Sequence, residues 1–175
     1  GIHQFDVSTG THETFFDLSD FNPGFLNDIS GSGNGELFIT DTGSQSLFII
    51  EDGIASLFSK SVPIFANGIT YDSSNSMFIL APWRGDSLFY SFDETASFSP
   101  SYTFNGGFFD GIEFDGETLI AATQSDSTIR IQNSQSESVL IKTTGPPADI
   151  GINRKEKIIA VPYISLNKVD FWQYK

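Results

Sequence analysis

The stretch LNDISGSGNGELFITDTGSQSLFIIEDG, residues 26–53, decides how this chain folds. Within it Leu37 and Ile39 alternate with Phe38 and Thr40, the period of two that marks a strand half-buried on a pleated surface. GSGNG at 31–35 and EDG at 51–53 break the alternation with the residues that tight hairpins require, so the segment reads as successive antiparallel strands. FDG at 114–116 is a further turn of the Asp-Gly type. The glycine cluster at 31–35 lies between two strands and opens no helix, which separates it from a phosphate-binding loop.

Three other stretches lie over this one: ANGITYDSSNSMFILAPWRGDSLFYSFDE (66–94), DGIEFDGETLIAATQSDSTIRIQNSQ (110–135) and ADIGINRKEKIIAVPYISLNKVDFWQYK (148–175). In that register Asn27, Asn67, Asp110 and Ala148 occupy one column, and Ile29, Ile69, Ile112 and Ile150 another. A spacing of about 40 residues is the length of one four-stranded propeller blade. The expected fold class is therefore all-β, a β-propeller of four-stranded antiparallel blades with about four blades present, forming a single domain over 1–175. Residues 1–20 form the end of one blade, and 25–60, 65–104, 108–145 and 146–175 form successive blades. The last copy stops after three strands. Either HETFFDL (12–18) supplies its fourth, or the open edges are covered by self-association or by a partner chain.

Composition agrees with strands and turns: 18 Phe and 16 Gly suit pleated surfaces and tight connections better than helices. A net charge of −13 with only nine Lys and Arg excludes nucleic acid and anionic membranes as partners, and favours cations near the surface. Without cysteine there is no disulfide, thiolate metal site or cysteine nucleophile. No segment reaches the roughly 18 apolar residues of a membrane span. GIHQFDVSTG at the start is not a signal peptide and reads as the middle of a hairpin, so the chain is expected to be soluble, with its compartment open and a piece of a larger ring preceding it. The only histidines, His3 and His12, lie on that hairpin away from the Asn/Asp column, so neither a Ser-His-Asp triad nor a histidine metal cluster assembles.

FLNDISGSGNGELFITDTGSQSLFIIEDG, ANGI, FDGIEFDG and PPADIGINRKEKIIAVP, in that order, resemble successive blades of the senescence marker protein, gluconolactonase and luciferin-regenerating enzyme-like family. The resemblance implies a six-bladed propeller, of which this chain holds the tail of the second blade onward. It also implies a divalent cation, usually Ca2+, at the top of the central channel, held by a Glu, two Asn and an Asp. Asn27, Asn67 and Asp110 match the last three as metal ligands; the Glu belongs to a blade this sequence lacks. A calcium ion takes about six to eight oxygens, and amide carbonyls, a carboxylate and water can supply them. With one formal charge in the set, such a site is expected to be weak or absent.

The same resemblance makes Asp110 the candidate catalytic base or nucleophile toward a small-molecule lactone or ester. Loops after the second strand of each copy bring Asp41, Thr42, Trp83, Arg84, Gln124 and Tyr163 toward the same mouth as candidate substrate-binding residues. Asp28 and Asp149 follow the column, either supporting it or hydrogen-bonding the strand starts. Two functions stand: a calcium-dependent, gluconolactonase-like hydrolase of lactones or related esters, and a non-catalytic propeller that binds a ligand or protein at its mouth.

Overall fold

In the computed structural model, which describes residues 1–175, seventeen strands and one 3-10 turn (Ser19–Phe21) account for the regular structure. A hairpin of β1 (Ile2–Phe5) and β2 (His12–Phe16) comes first, followed by three four-stranded antiparallel sheets. These are β3 (Leu26–Gly31), β4 (Leu37–Asp41), β5 (Ser46–Glu51) and β6 (Ile54–Ser59); β7 (Ala66–Asp72), β8 (Met77–Pro82), β9 (Leu88–Phe92) and β10 (Ser99–Thr103); and β11 (Phe109–Asp115), β12 (Thr118–Thr123), β13 (Thr128–Gln132) and β14 (Glu137–Lys142). A three-stranded sheet of β15 (Gly151–Asn153), β16 (Ile158–Pro162) and β17 (Val169–Gln173) closes the series. Each sheet meanders in sequence order, and the arrangement is a β-propeller with β3, β7, β11 and β15 innermost. No helix is long and apolar enough to cross a membrane.

The blades are glued by phenylalanine. Because side chains alternate along a strand, each sheet presents a row of them to the next blade. Between the first two full blades Phe38 meets Phe78 at 4.5 Å and Phe58 edge-on at 4.8 Å, while Phe78 stacks on Phe92 at 5.2 Å. Phe89, Phe104, Phe109 and Phe114 fill the next interface, and Ile120, Ile129, Ile150, Ile159 and Val161 the last. A fully buried Phe is worth about 1.5–3 kcal/mol by area, which makes these seams the main source of stability.

All four inner strands share one irregularity. Leu26 pairs with Asp41 and Ile29 with Ile39; Ala66 with Pro82 and Ile69 with Leu80; Phe109 with Thr123 and Ile112 with Ala121. In the last blade Pro147 bridges to Tyr163 and Gly151 pairs with Ala160. Over each span the inner strand carries one residue more than its neighbour, which is a β-bulge, and bulges re-aim side chains. The repeat register thus holds for Ile29, Ile69 and Ile112, with Ile150 immediately before β15. The bulge itself is invisible to a reading by alternation.

One of two alternatives is set aside and one expectation is corrected. HETFFDL does not complete the last sheet: His12–Phe16 pairs with Ile2–Phe5, and β17 has no strand on its outer side, leaving Phe171 73% exposed. The turn at 114–116 is also not of the Asp-Gly type. Asp115 pairs with Thr118, so the loop is Gly116-Glu117 with Gly116 at φ +61°. At 51–54, by contrast, Asp52 and Gly53 both have positive φ, 49° and 77°, as a mirror-image hairpin turn demands.

Candidate functional site

The bulges place Asn27, Asn67 and Asp110 side by side at one end of the channel. Asn67 is 2% exposed, and its Nδ2 donates to the Phe109 carbonyl at 2.7 Å and to Asp110 Oδ1 at 3.2 Å. That pins its amide, so Asn67 Oδ1 faces Asn27, whose Nδ2 donates to it. Asn27 Nδ2 also donates to Thr42 Oγ1 at 3.0 Å, and the Thr42 hydroxyl donates onward to the Ala66 carbonyl at 2.7 Å. Since the Thr42 proton is spent on that carbonyl, its oxygen must accept from Asn27, which fixes the second amide as well. Gln124 Nε2 donates to Asp110 Oδ2 at 2.9 Å. One hydrogen-bonded chain therefore runs Thr42–Asn27–Asn67–Asp110–Gln124 across three blades.

Close approach of the inner strands makes this possible. A Cβ on Gly68 would lie 2.0 Å from the Asp110 carbonyl oxygen, and one on Gly111 would lie 2.2 Å from the Ile150 nitrogen. At the position equivalent to Gly68 and Gly111 the first full blade carries Asp28, whose side chain ties the blades: Oδ2 accepts from the Ile69 N–H at 2.7 Å and Oδ1 from its own neighbour Ile29 at 2.7 Å. Asp149 Oδ1 accepts from Ile150 N–H at 2.8 Å. Strand-start hydrogen bonding is thus the role both aspartates show.

Above the chain opens a cavity of about 350 Å³ lined by Phe25, Asn27, Thr42, Asn67, Trp83, Asp110, Gln124 and Ile164. Of the expected substrate-binding residues, Thr42, Trp83 and Gln124 reach it. Trp83 packs against Phe108, ring centroids 5.4 Å apart. Three do not. Asp41 is fully buried, its carboxylate accepting the backbone N–H groups of Gly24, Phe25, Gly43 and Ser44 at 2.7–3.1 Å, so it holds the loop that carries Phe25. The Tyr163 ring is buried in the last interface, and its hydroxyl donates to Asp170 at 2.8 Å. The Arg84 guanidinium sits 3.9 Å from the centroid of Phe65, outside the cavity. Sequence reading missed the apolar rim, where Phe25 is 62%, Phe108 47% and Ile164 57% exposed. Their signal was position: each large apolar residue flanks the bulge or the loop that faces it.

The charge balance of the channel is set by burial. Asp110 is pushed up to about 6, first by desolvation and then by Asp149. Asp28 is pushed up to about 7, by desolvation and then by the Asp149 charge. Asp149 is raised by desolvation too. An Asp raised in the folded state holds a proton that the unfolded chain releases near pH 3.8, so its stabilising contribution is full below that value and is lost as pH rises toward 7. Thermal melts between pH 4 and 8 should therefore show a midpoint that falls with pH, and Asp28→Asn should flatten that fall by several degrees. Asp110 and Asp149 leave a residual slope. A variant with the parent's slope would show that Asp28 ionises freely in the fold.

No group of three or more His, Asp or Glu side chains converges as a metal cluster, and oxygen donors at the mouth come from amides and one carboxylate. The Asp110 carboxylate presents oxygen to the shared space as it stands; Asn67 Oδ1 and Asn27 Oδ1 do so once the Asn27 amide turns over and gives up its bonds to Asn67 and Thr42. The donor set fits a calcium ion with low charge and a rearrangement to make.

No protein-family model matches the chain, and no curated protein matches it by sequence. Among solved structures, a chain of a nidogen/laminin complex superposes with a TM-score of 0.73 at 15% identity, covering 98% of this chain and 71% of that one. At that identity the likeness speaks for the propeller fold.

Proposed function

We propose that this chain is a calcium-dependent hydrolase of lactones or related esters, with the ion at the mouth of the propeller channel. The observation that carries the reading is the convergence of Asn27, Asn67 and Asp110 from three blades on the floor of an apolar-rimmed cavity of about 350 Å³. The resemblance to the gluconolactonase-like family implies the same three ligands. Bound calcium would supply a Lewis acid that polarises the carbonyl.

The chain's own groups do the rest. Asp110, pushed up to about 6 by burial and by Asp149 in the metal-free chain and drawn down again by a bound cation, is ionised at neutrality and can serve as general base. It takes the proton of a water that adds to the carbonyl carbon and returns it to the ring oxygen as the lactone C–O bond breaks, while Gln124 at Oδ2 and Asn67 at Oδ1 orient the carboxylate. Asn67, anchored by the Phe109 carbonyl, would offer its amide oxygen to the ion. Phe25, Trp83 and Ile164 offer an apolar wall, which suits a lactone with an alkyl or aryl body over a heavily hydroxylated one. The test is pH-stat assay of a long-chain γ-lactone, with calcium, with chelator, and with calcium restored. Saturable turnover that chelator removes and calcium restores is expected; absence of turnover at millimolar calcium overturns the enzyme reading.

One observation favours a non-catalytic ligand-binding propeller instead: every amide hydrogen of Asn27 and Asn67 found at the mouth already has an acceptor, so the floor is closed without an ion. Lactone binding that is saturable, insensitive to chelator and free of turnover would select that reading.

A further inference from the structure

At the end of the strands opposite the mouth, a cleft of about 530 Å³ lies between the second and third full blades. Asp72 and Asn75 come from the end of β7 and the turn after it, Tyr102 from β10, Glu117 from the β11–β12 turn, and Gln132 and Asn133 from the end of β13. We propose that this cleft binds a neutral saccharide, a site separate from the mouth.

Its volume falls within the roughly 300–1,000 Å³ of small-molecule sites, yet a single lining residue, Tyr102, is apolar. Apolar ligands are therefore poorly served. No Lys, Arg or His lines it, and in a chain of net charge −13 that excludes phosphate, sulfate and carboxylate ligands. What remains is a wall of carboxylates, amides and serine hydroxyls, groups that pair with hydroxyls able both to donate and to accept. Asp72, 5% exposed, is held by the N–H groups of Ser74 and Asn75 at 2.9 and 3.3 Å and by Asn75 Nδ2 at 2.8 Å, so its carboxylate is preset. Gln132 adds an amide to the wall, its side-chain oxygen buried and without a hydrogen-bond partner in the protein. Tyr102 is steadied edge-on by Phe114, centroids 6.4 Å apart, and gives the C–H face of a sugar ring a surface to lie on. Polar walls with one aromatic platform complement a pyranose, and the cleft has room for a short oligomer.

Saturation-transfer NMR and calorimetry with maltotriose, cellotriose and chitotriose test this. At least one should bind at millimolar or better affinity, and Tyr102→Ala should weaken it at least tenfold. Glu117→Ala, on an exposed turn, should weaken it severalfold with an unchanged melting temperature, which keeps the test valid if the tyrosine variant fails to fold. Absence of binding by all three sugars, or binding that both variants leave intact, overturns the proposal. Calcium binding at Asp72 and Glu117 that excludes the sugar would make the cleft a cation site and overturn it equally.

Discussion

Gly68→Ala is expected to lower the melting temperature by about 6–12 °C and to abolish any ligand binding at the mouth, although it adds one methyl group. The new Cβ would stand 2.0 Å from the Asp110 backbone oxygen, far inside contact distance, and a carbonyl in an inner strand cannot swing aside as a side-chain tip can. Relief requires the inner strands of two blades to separate. Overpacking of this kind costs about 3 kcal/mol or somewhat more, and in a domain of this length each kcal/mol moves the midpoint by about 2–4 °C. Separation also breaks the bonds from Asn67 Nδ2 to the Phe109 carbonyl, now 2.7 Å, and to Asp110, now 3.2 Å. Stability and site therefore fail together. Gly33→Ala is the control, since a Cβ there meets nothing within 4 Å and its φ is not in the left-handed region. Circular-dichroism melts of the two variants decide it: a Gly68→Ala midpoint within about 2 °C of the parent would mean that the inner strands are not packed as closely as described.

How much of this was legible beforehand differs between fold and site. The blades were legible because they repeat: alternation repeated about every 40 residues needs no long-range information, and Ile29, Ile69 and Ile112 fall in equivalent strands as the alignment requires. The column of Asn27, Asn67 and Asp110 was legible for the same reason. What one chain of letters does not display is direction. Asp41 and Thr42 are adjacent, and both were read as rim residues; the backbone turns one carboxylate inward onto four N–H groups and leaves the other side chain in the cavity. Tyr163 was misplaced because the last blade pairs it with Pro147 and directs its ring into the seam with the preceding blade. The apolar rim escaped because Phe25 and Ile164 resemble any other core residue until the loops that carry them are seen to end at the surface. The pairing of HETFFDL shows a different limit, since a strand's partner is chosen by competition between edges that letters alone do not rank.

Asp110→Asn is expected to remove calcium binding and to reduce lactone hydrolysis at least a hundredfold while leaving the fold in place. The substitution conserves shape. Its side-chain oxygen can still accept from Asn67, and Gln124, whose amide is free to turn over, can present its oxygen to the new NH2 in place of the 2.9 Å bond it now donates. What disappears is the one negative charge among the three candidate ligands, and calcium affinity follows ligand charge. In the parent, titration calorimetry should give a Kd of about 10⁻⁴ to 10⁻³ M, the range of low-charge sites; in the variant the heats should be those of dilution. Hydrolysis by the parent should fall at acid pH as Asp110 takes up its proton and can no longer act as base, at a pH that bound calcium draws below the metal-free value of about 6. Calcium affinity that survives the substitution would place the ion elsewhere on this acidic chain and reject the assigned ligands. Calcium binding that is lost, in a chain whose parent never hydrolyses a lactone, would support the ion site and leave the propeller a binding module, because the only group at the mouth able to take a proton would then have no reaction to serve.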